Sequence, residues 1–203
     1  MAGFLMRQQH GRPHVTLKLA TSLDGCIAMA DGASRWITGE AARAHAHLER
    51  ARHEAILVGR GTWEADAPRL DVRLGGLEDR APSRLILSRQ DPSATGFDGT
   101  IAPAMVEGQS PAILHDPADI ATLHHVDHLL VEGGAGAAAA FLAADLVDRL
   151  LLYRAPILIG GGTSSLRDIG LTSLDAAHGR WALADARRLG SDRLEVYERR
   201  RSS

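Results

Sequence analysis

One cysteine in 203 residues, Cys26, leaves this chain no internal disulfide and no multi-cysteine zinc site. Such a chain fits a reducing, cytoplasmic setting. No apolar run approaches the roughly 20 residues needed to span a bilayer. The N-terminal stretch holds Phe4 and Leu5 but no continuous apolar core and no small-residue cleavage site. It reads as a loose tail over residues 1–12 and not as a secretory signal. A net charge of −2 provides no general attraction to nucleic acid or to an anionic membrane. Lysine is almost missing as well: Lys18 stands alone among 23 basic residues. Arginine is the better bidentate partner for phosphate, although genomic bias would produce the same ratio.

Several catalytic patterns are also absent. No G-x-S-x-G elbow occurs, and Gly160-Gly161-Gly162-Thr163 lacks both the lysine and the spacing of a P-loop. Ten histidines raise a metal hypothesis, but His45 and His47 fall on different faces of a helix and no His-Glu-x-x-His exists. No metal site is expected.

What remains is an alternation of short β-rich runs and helical patterns, the signature of an α/β sheet with crossover helices. Strands are expected at 14–20, 54–58, 84–88, 111–115, 128–132, 149–159 and 194–198, with a weaker candidate at 181–189. A helix is expected from Gly39 to Arg52 behind an N-cap at Thr38, a short one opening at Asp116-Pro117, and an alanine-rich one over 136–146. Two connections, 62–82 and 89–110, read as loops rich in Gly, Pro, Asp and Ser. One domain over 13–198 is expected, with 199–203 a solvated end.

The sharpest local feature is Leu130-Val-Glu-Gly-Gly-Ala-Gly-Ala137, where a strand ends in glycines that open onto a helix. Backbone amides at such a start favour a phosphate or pyrophosphate. Gly134, Gly136 and Ala139 formally satisfy G-x-G-x-x-G/A, but no acid follows at the Rossmann distance, so a standard Rossmann domain is disfavoured. Val58-Gly59-Arg60-Gly61-Thr62 and Leu87-Ser88-Arg89 are two further strand ends. If they are neighbours, Arg60, Ser88 and Arg89 converge on a phosphate, the chemistry that selects NADP over NAD.

Read in order, Leu17-Lys-Leu-Ala-Thr-Ser-Leu-Asp-Gly25, Ser34-Arg-Trp-Ile-Thr38, Ala55-Ile-Leu-Val-Gly-Arg-Gly-Thr62, the Asp66…Pro68…Leu70…Val72-Arg73 loop, Val131-Glu-Gly-Gly134 and Leu146-Val-Asp-Arg-Leu150…Tyr153-Arg-Ala-Pro156 resemble the reductase domain of the riboflavin-biosynthesis deaminase/reductase family and its stand-alone pyrimidine reductases. The resemblance implies a dihydrofolate-reductase-like fold, mostly parallel with antiparallel C-terminal strands. It further implies NADPH as cofactor, a phosphorylated ribosylaminopyrimidine as substrate, and a homodimer. It assigns cofactor contacts to Ala20, Trp36, Thr62, Asp66 and the run from Gly133 through Gly134, Ala135 and Gly136 to Ala137. Substrate contacts fall on Ser34, Arg50, Leu70, Arg73 and Glu132, and Asp66 and Glu132 are the candidate acids.

Two departures matter. Asp66-Ala67-Pro68 stands where the family usually has Asp-Asp-Pro, with Asp71 where threonine is common, and Leu87-Ser88-Arg89 looks more like dihydrofolate reductase proper. A pterin reductase is therefore the alternative. It needs a buried acid early in the first helix, where this chain has Arg43, with Glu40 the nearest acid. A non-catalytic NADPH-binding module is a third reading.

Overall fold

The structure, a computed structural model, describes residues 1–89 and 111–201. The expected loop at 89–110 lies outside the described residues from position 90 onward. The chain folds around an eight-stranded sheet in the order β5-β4-β3-β6-β1-β7-β10-β9. Strands β1 (His14–Thr21), β3 (Ala55–Gly59), β4 (Ser83–Leu87), β5 (Ala112–Leu114), β6 (His128–Glu132) and β7 (Arg149–Arg154) run parallel, while β10 (Asp192–Arg199) and β9 (Trp181–Leu189) continue antiparallel. A mostly parallel sheet with antiparallel C-terminal strands is the arrangement the resemblance implied. A separate ribbon pairs β2 (Cys26–Ala28) with β8 (Thr163–Ser164).

Alternation along the strands splits the core between the two faces. Val15, Leu17, Leu57, Leu129 and Val131 point to one face, where Phe141 of helix α4 (Ala135–Ala143) is fully buried among them. Burying that ring contributes about 2–3 kcal/mol. On the other face the apolar surface forms two separate patches, one around Ile56, Val58, Ile86 and Leu130, the other around Leu151, Tyr153, Leu194 and Val196. Between them lie Lys18 of β1 and Glu132 of β6, directly paired in register beneath helix α2 (Glu40–Ala51). A polar seam thus runs through that face.

Residues 1–12 are not a loose tail. Ala2–His10 form helix α1, packed so closely that a Cβ on Gly3 would lie 2.5 Å from the Asp127 carbonyl oxygen. Arg7 donates to the carbonyls of Leu123 and Val126 and pairs with Asp127 at 3.2 Å. Arg12 is buried and bidentate to Asp148, at 2.7 and 2.9 Å. The solvated-end reading of 199–203 also fails over its described part, because Arg199 and Arg201 pair with Asp145 and Asp148. Both expectations rested on the polarity of these segments, which their carboxylate partners satisfy.

Smaller boundaries differ too. Helix α2 starts behind Gly39 rather than a Thr38 cap, and residues 60–66, whose last five were read as loop, form helix α3 (Arg60–Asp66). Strand β7 stops at Arg154 because Pro156 has no amide hydrogen to donate. The weak candidate at 181–189 is a nine-residue strand on the sheet edge. The Asp116 expectation is met by a 3₁₀ turn over Pro117–Thr122, with a reciprocal capping box between Asp116 and Asp119. Among the described residues no helix is long and apolar enough to cross a membrane.

Candidate active site

The connection from β1 to β3 passes over the position of β6, and the chain then winds outward to β5 before returning. This reversal of strand order opens a crevice beyond the carboxyl ends of β1, β3 and β6, where ligands of open α/β sheets bind. A cleft of about 1320 Å³ occupies that crevice. All the side chains and glycines expected at a site line it, so the structure brings together segments that lie far apart in sequence.

One wall is the start of α4. The first intrahelical bond runs from Ala138 N to the Gly134 carbonyl, so the amides of Ala135, Gly136 and Ala137 have no acceptor within the helix. Gly134 is packed tightly, since a Cβ there would lie 2.8 Å from Thr62 Oγ1, whereas a Cβ on Gly136 would meet nothing within 4 Å. The helix start is thus held against α3 on one side and open to the cleft on the other. The two strand ends read as phosphate ligands are neighbours: Gly59 is paired with Leu87, which places Arg60 beside Ser88 and Arg89 at one rim. Arg60 lies 3.6 Å from Glu64 in an exposed pair, and Ser88 is buried.

The opposite wall is α2. Arg43, His47 and Arg50, spaced by four and three residues, share a face and line the cleft. Arg43 stacks over Trp36, 4.7 Å from the ring centroid, and donates to the Thr38 carbonyl at 2.6 Å. Arg50 grips Glu132 with both prongs, at 2.9 and 2.6 Å, and donates to the Asp71 carbonyl at 3.0 Å. Lys18 Nζ lies 4.0 Å from the same carboxylate. Burial opposes the charge of Glu132, but Lys18 and then Arg50 outweigh it and hold the carboxyl at about 2. Glu132 is therefore ionised at neutral pH and has no proton to give. The expectation that it is an acid is corrected, since its carboxylate is committed to two cations.

The substrate loop is less uniform than expected. Arg73 is exposed and paired with Asp71 at 3.1 Å, and Ser34 is half-buried. Leu70 is only 3% exposed and packs with Ile56, Val58, Ile86 and Leu130, so most of its surface belongs to the core. Its φ of 54° is strained for a branched side chain and turns the loop back toward α2. Asp66 ends α3 and is exposed at the cleft rim. Ala20 lies at the end of β1.

Lys18, His47 and Tyr153 were missed. The signal for Lys18 was available: the single lysine of the chain sits inside an otherwise apolar strand, flanked by Leu17 and Leu19. His47 was set aside with the other histidines because no metal spacing fitted. Tyr153 is buried, its hydroxyl 2.8 Å from His45 Nδ1 and its ring beneath Lys18; the Tyr153-Arg-Ala-Pro156 run belongs to the resemblance but carried no assigned role.

Comparison with known proteins identifies relatives of this chain and of its fold. The chain is 39% identical over 196 residues to the riboflavin biosynthesis protein RibD of Mycobacterium tuberculosis, covering 94% of this chain and 56% of that protein. The structure of RibD from Acinetobacter baumannii superposes with a TM-score of 0.78 at 28% identity, covering 98% of this chain and 61% of the other. A diaminohydroxyphosphoribosylaminopyrimidine deaminase/5-amino-6-(5-phosphoribosylamino)uracil reductase from Thermotoga maritima gives the same TM-score at 27% identity, covering 97% and 59%. The chain thus spans little more than half the length of these relatives. With residues 13–194 matching the RibD C-terminal domain, this chain belongs to that family.

Proposed function

We propose that the chain is an NADPH-dependent reductase that converts the ribose of a phosphorylated ribosylaminopyrimidine into a ribityl chain, a step of riboflavin biosynthesis. The observation that carries this reading is the cleft itself, with an anion-seeking helix start on one wall and a row of Arg43, His47 and Arg50 on the other.

The residues present fit a dinucleotide phosphate. The three amides of α4 that have no acceptor within the helix suit a pyrophosphate, Gly136 leaves room for it, and Arg60, Ser88 and Arg89 suit a 2′-phosphate. NADPH supplies the hydride when bound. The chain's own residues orient the substrate. Arg73 and Ser34 suit its phosphate, and Arg50, fixed by Glu132, presents its remaining donors to the cleft. Lys18 is a further fixed cation at the end of the polar seam, placed to support negative charge that develops on the substrate. Asp66, exposed at the rim, is the one candidate acid left, and hydride transfer draws much of its rate from proximity.

A pterin reductase of the same fold is the second reading, favoured by Leu87-Ser88-Arg89. Against it, α2 presents cations to the cleft where such an enzyme needs a carboxylate. Glu40 is exposed at the helix start, and Glu49 is buried and paired with Arg52. Replacing Arg73 with alanine tests the phosphorylated-substrate reading. It should raise KM for the pyrimidine phosphate tenfold or more, on the order of 1.4 kcal/mol, and leave KM for NADPH within twofold. An equal effect on both would remove Arg73 from the substrate side.

A further inference from the structure

The donors expected to receive the substrate's phosphate are largely engaged already. Arg50 commits its Nε and one hydrogen on each terminal nitrogen to Glu132 and the Asp71 carbonyl. Arg73 is paired with Asp71, which also holds Arg69 at 3.1 Å. Between these arginines stands His47, half-buried, its ring lining the cleft. Its Nδ1 lies 3.1 Å from the Asp71 carbonyl oxygen and 3.2 Å from the Arg73 amide nitrogen. A neutral ring satisfies one of these contacts by choice of tautomer. A protonated ring donates from Nδ1 to the Asp71 carbonyl and has a second N–H at Nε2, which makes no hydrogen bond among the described residues.

The groups facing this imidazole are Arg43 and Arg50 on its own helix, Asp71 and Arg73 on the loop, Glu132 on β6 and Lys18 on β1. Burial first, then the guanidiniums of Arg50 and Arg73, lower its pKa from 6.5, so the ring is neutral at pH 7 while the cleft is empty. A dianion entering between Arg50 and Arg73 reverses that balance, because it lies beside the ring and offsets both cations.

We propose that His47 is a further donor for the substrate's phosphate, beside Ser34, Arg50 and Arg73, and that its ring takes up a proton from solvent as the phosphate binds. This rests on the reading that the cleft takes a phosphorylated substrate. His47 then positions the substrate and also ties the substrate-loop backbone to α2, so phosphate binding and loop position are linked through one ring.

Above pH 7 a phosphate monoester is already dianionic, its second pKa being about 6, so a remaining pH dependence of binding belongs to the protein. In the wild type, KM for the pyrimidine phosphate should rise about tenfold from pH 7 to pH 9, as the bound ring loses its proton. In His47→Gln it should already be high at pH 7 and stay flat, with most of the loss in KM rather than kcat, and the unphosphorylated ribosylaminopyrimidine should not sense the substitution. On the wild-type protein, ribose 5-phosphate should raise the titration midpoint of the His47 ring proton resonance by about two units, the shift that a tenfold change in KM above pH 7 requires of a ring that is neutral at pH 7 before binding. A variant whose KM keeps the wild-type slope, or a midpoint that ribose 5-phosphate does not move, overturns the proposal. If ribose 5-phosphate moves the midpoint but no pyrimidine phosphate is reduced, His47 stands as a phosphate ligand and the reductase reading falls. Turnover of a pyrimidine phosphate with an unmoved midpoint leaves the reductase reading standing and removes His47 from the phosphate.

Discussion

At the level of single residues, the centre of the site is the Glu132 carboxylate, buried yet ionised between Arg50 and Lys18. Its carboxyl lies near 2 in the folded chain, against an ordinary value of 4.5, so it stabilises the fold fully above pH 4.5 and progressively less as pH falls toward 2. A depression of that size corresponds to roughly 3 kcal/mol. Glu132→Gln removes that titration and strands Arg50, so the variant should melt well below the wild type at pH 7. The gap should close as pH drops from about 4.5 toward 2 in parallel melting curves. A gap that stays constant over that window would show that Glu132 is not held ionised by its neighbours.

Individual residues also differ in how far the sequence alone revealed them. Ser34, Arg50, Arg73 and the glycines of the 133–137 run were assigned by the family resemblance, and all line the cleft. The state of Glu132 was not legible, because it depends on Lys18 one strand away and Arg50 on a helix 82 positions earlier. Leu70 was named as a contact from its place in a motif. Its burial follows from a positive φ in the loop, which residue type alone does not signal.

Among elements, α4 is where sequence and structure meet most directly. Its alanines and glycines make a helix that lies against β3 and β6 with little between, and its open start faces the cleft. Two neighbouring glycines should therefore respond differently. Gly136→Ala puts a methyl into open space, so the melting temperature should hold while Kd for NADPH rises several-fold. Gly134→Ala drives a methyl onto Thr62 Oγ1 and should lower both stability and affinity, by about 1–3 kcal/mol in stability. Equal effects of the two in calorimetry and thermal melts would contradict the placement of the cofactor at this helix start. Helix α3, by contrast, was taken mostly for loop, since seven residues rich in turn formers carry too little periodicity to be recognised.

For the whole molecule, the α/β class was implied by alternating strands and helices and the mostly parallel order by the resemblance, but the reversal of strand order and the closing of the sheet's amino edge were not. Arg12 and Asp148 are 136 residues apart and both buried, and α1 is fastened over β1 and β6 by Arg7. Charged residues in a short terminal segment look solvated until their partners are known. Removing the guanidinium leaves Asp148 buried with less compensation. Arg12→Ala should thus cost about 3 kcal/mol, a fall of roughly 6–12 °C in melting temperature for a chain of this size. An unchanged melting temperature would return residues 1–12 to the status of a tail.

The central claim, that the cleft reduces a phosphorylated ribosylaminopyrimidine with NADPH, is tested most directly by following the loss of NADPH absorbance. The purified chain would be offered the deaminated pyrimidine phosphate, the undeaminated one and dihydrofolate in parallel. The account predicts oxidation with at least one pyrimidine phosphate and none above background with dihydrofolate. Turnover of dihydrofolate without turnover of either pyrimidine phosphate would contradict it.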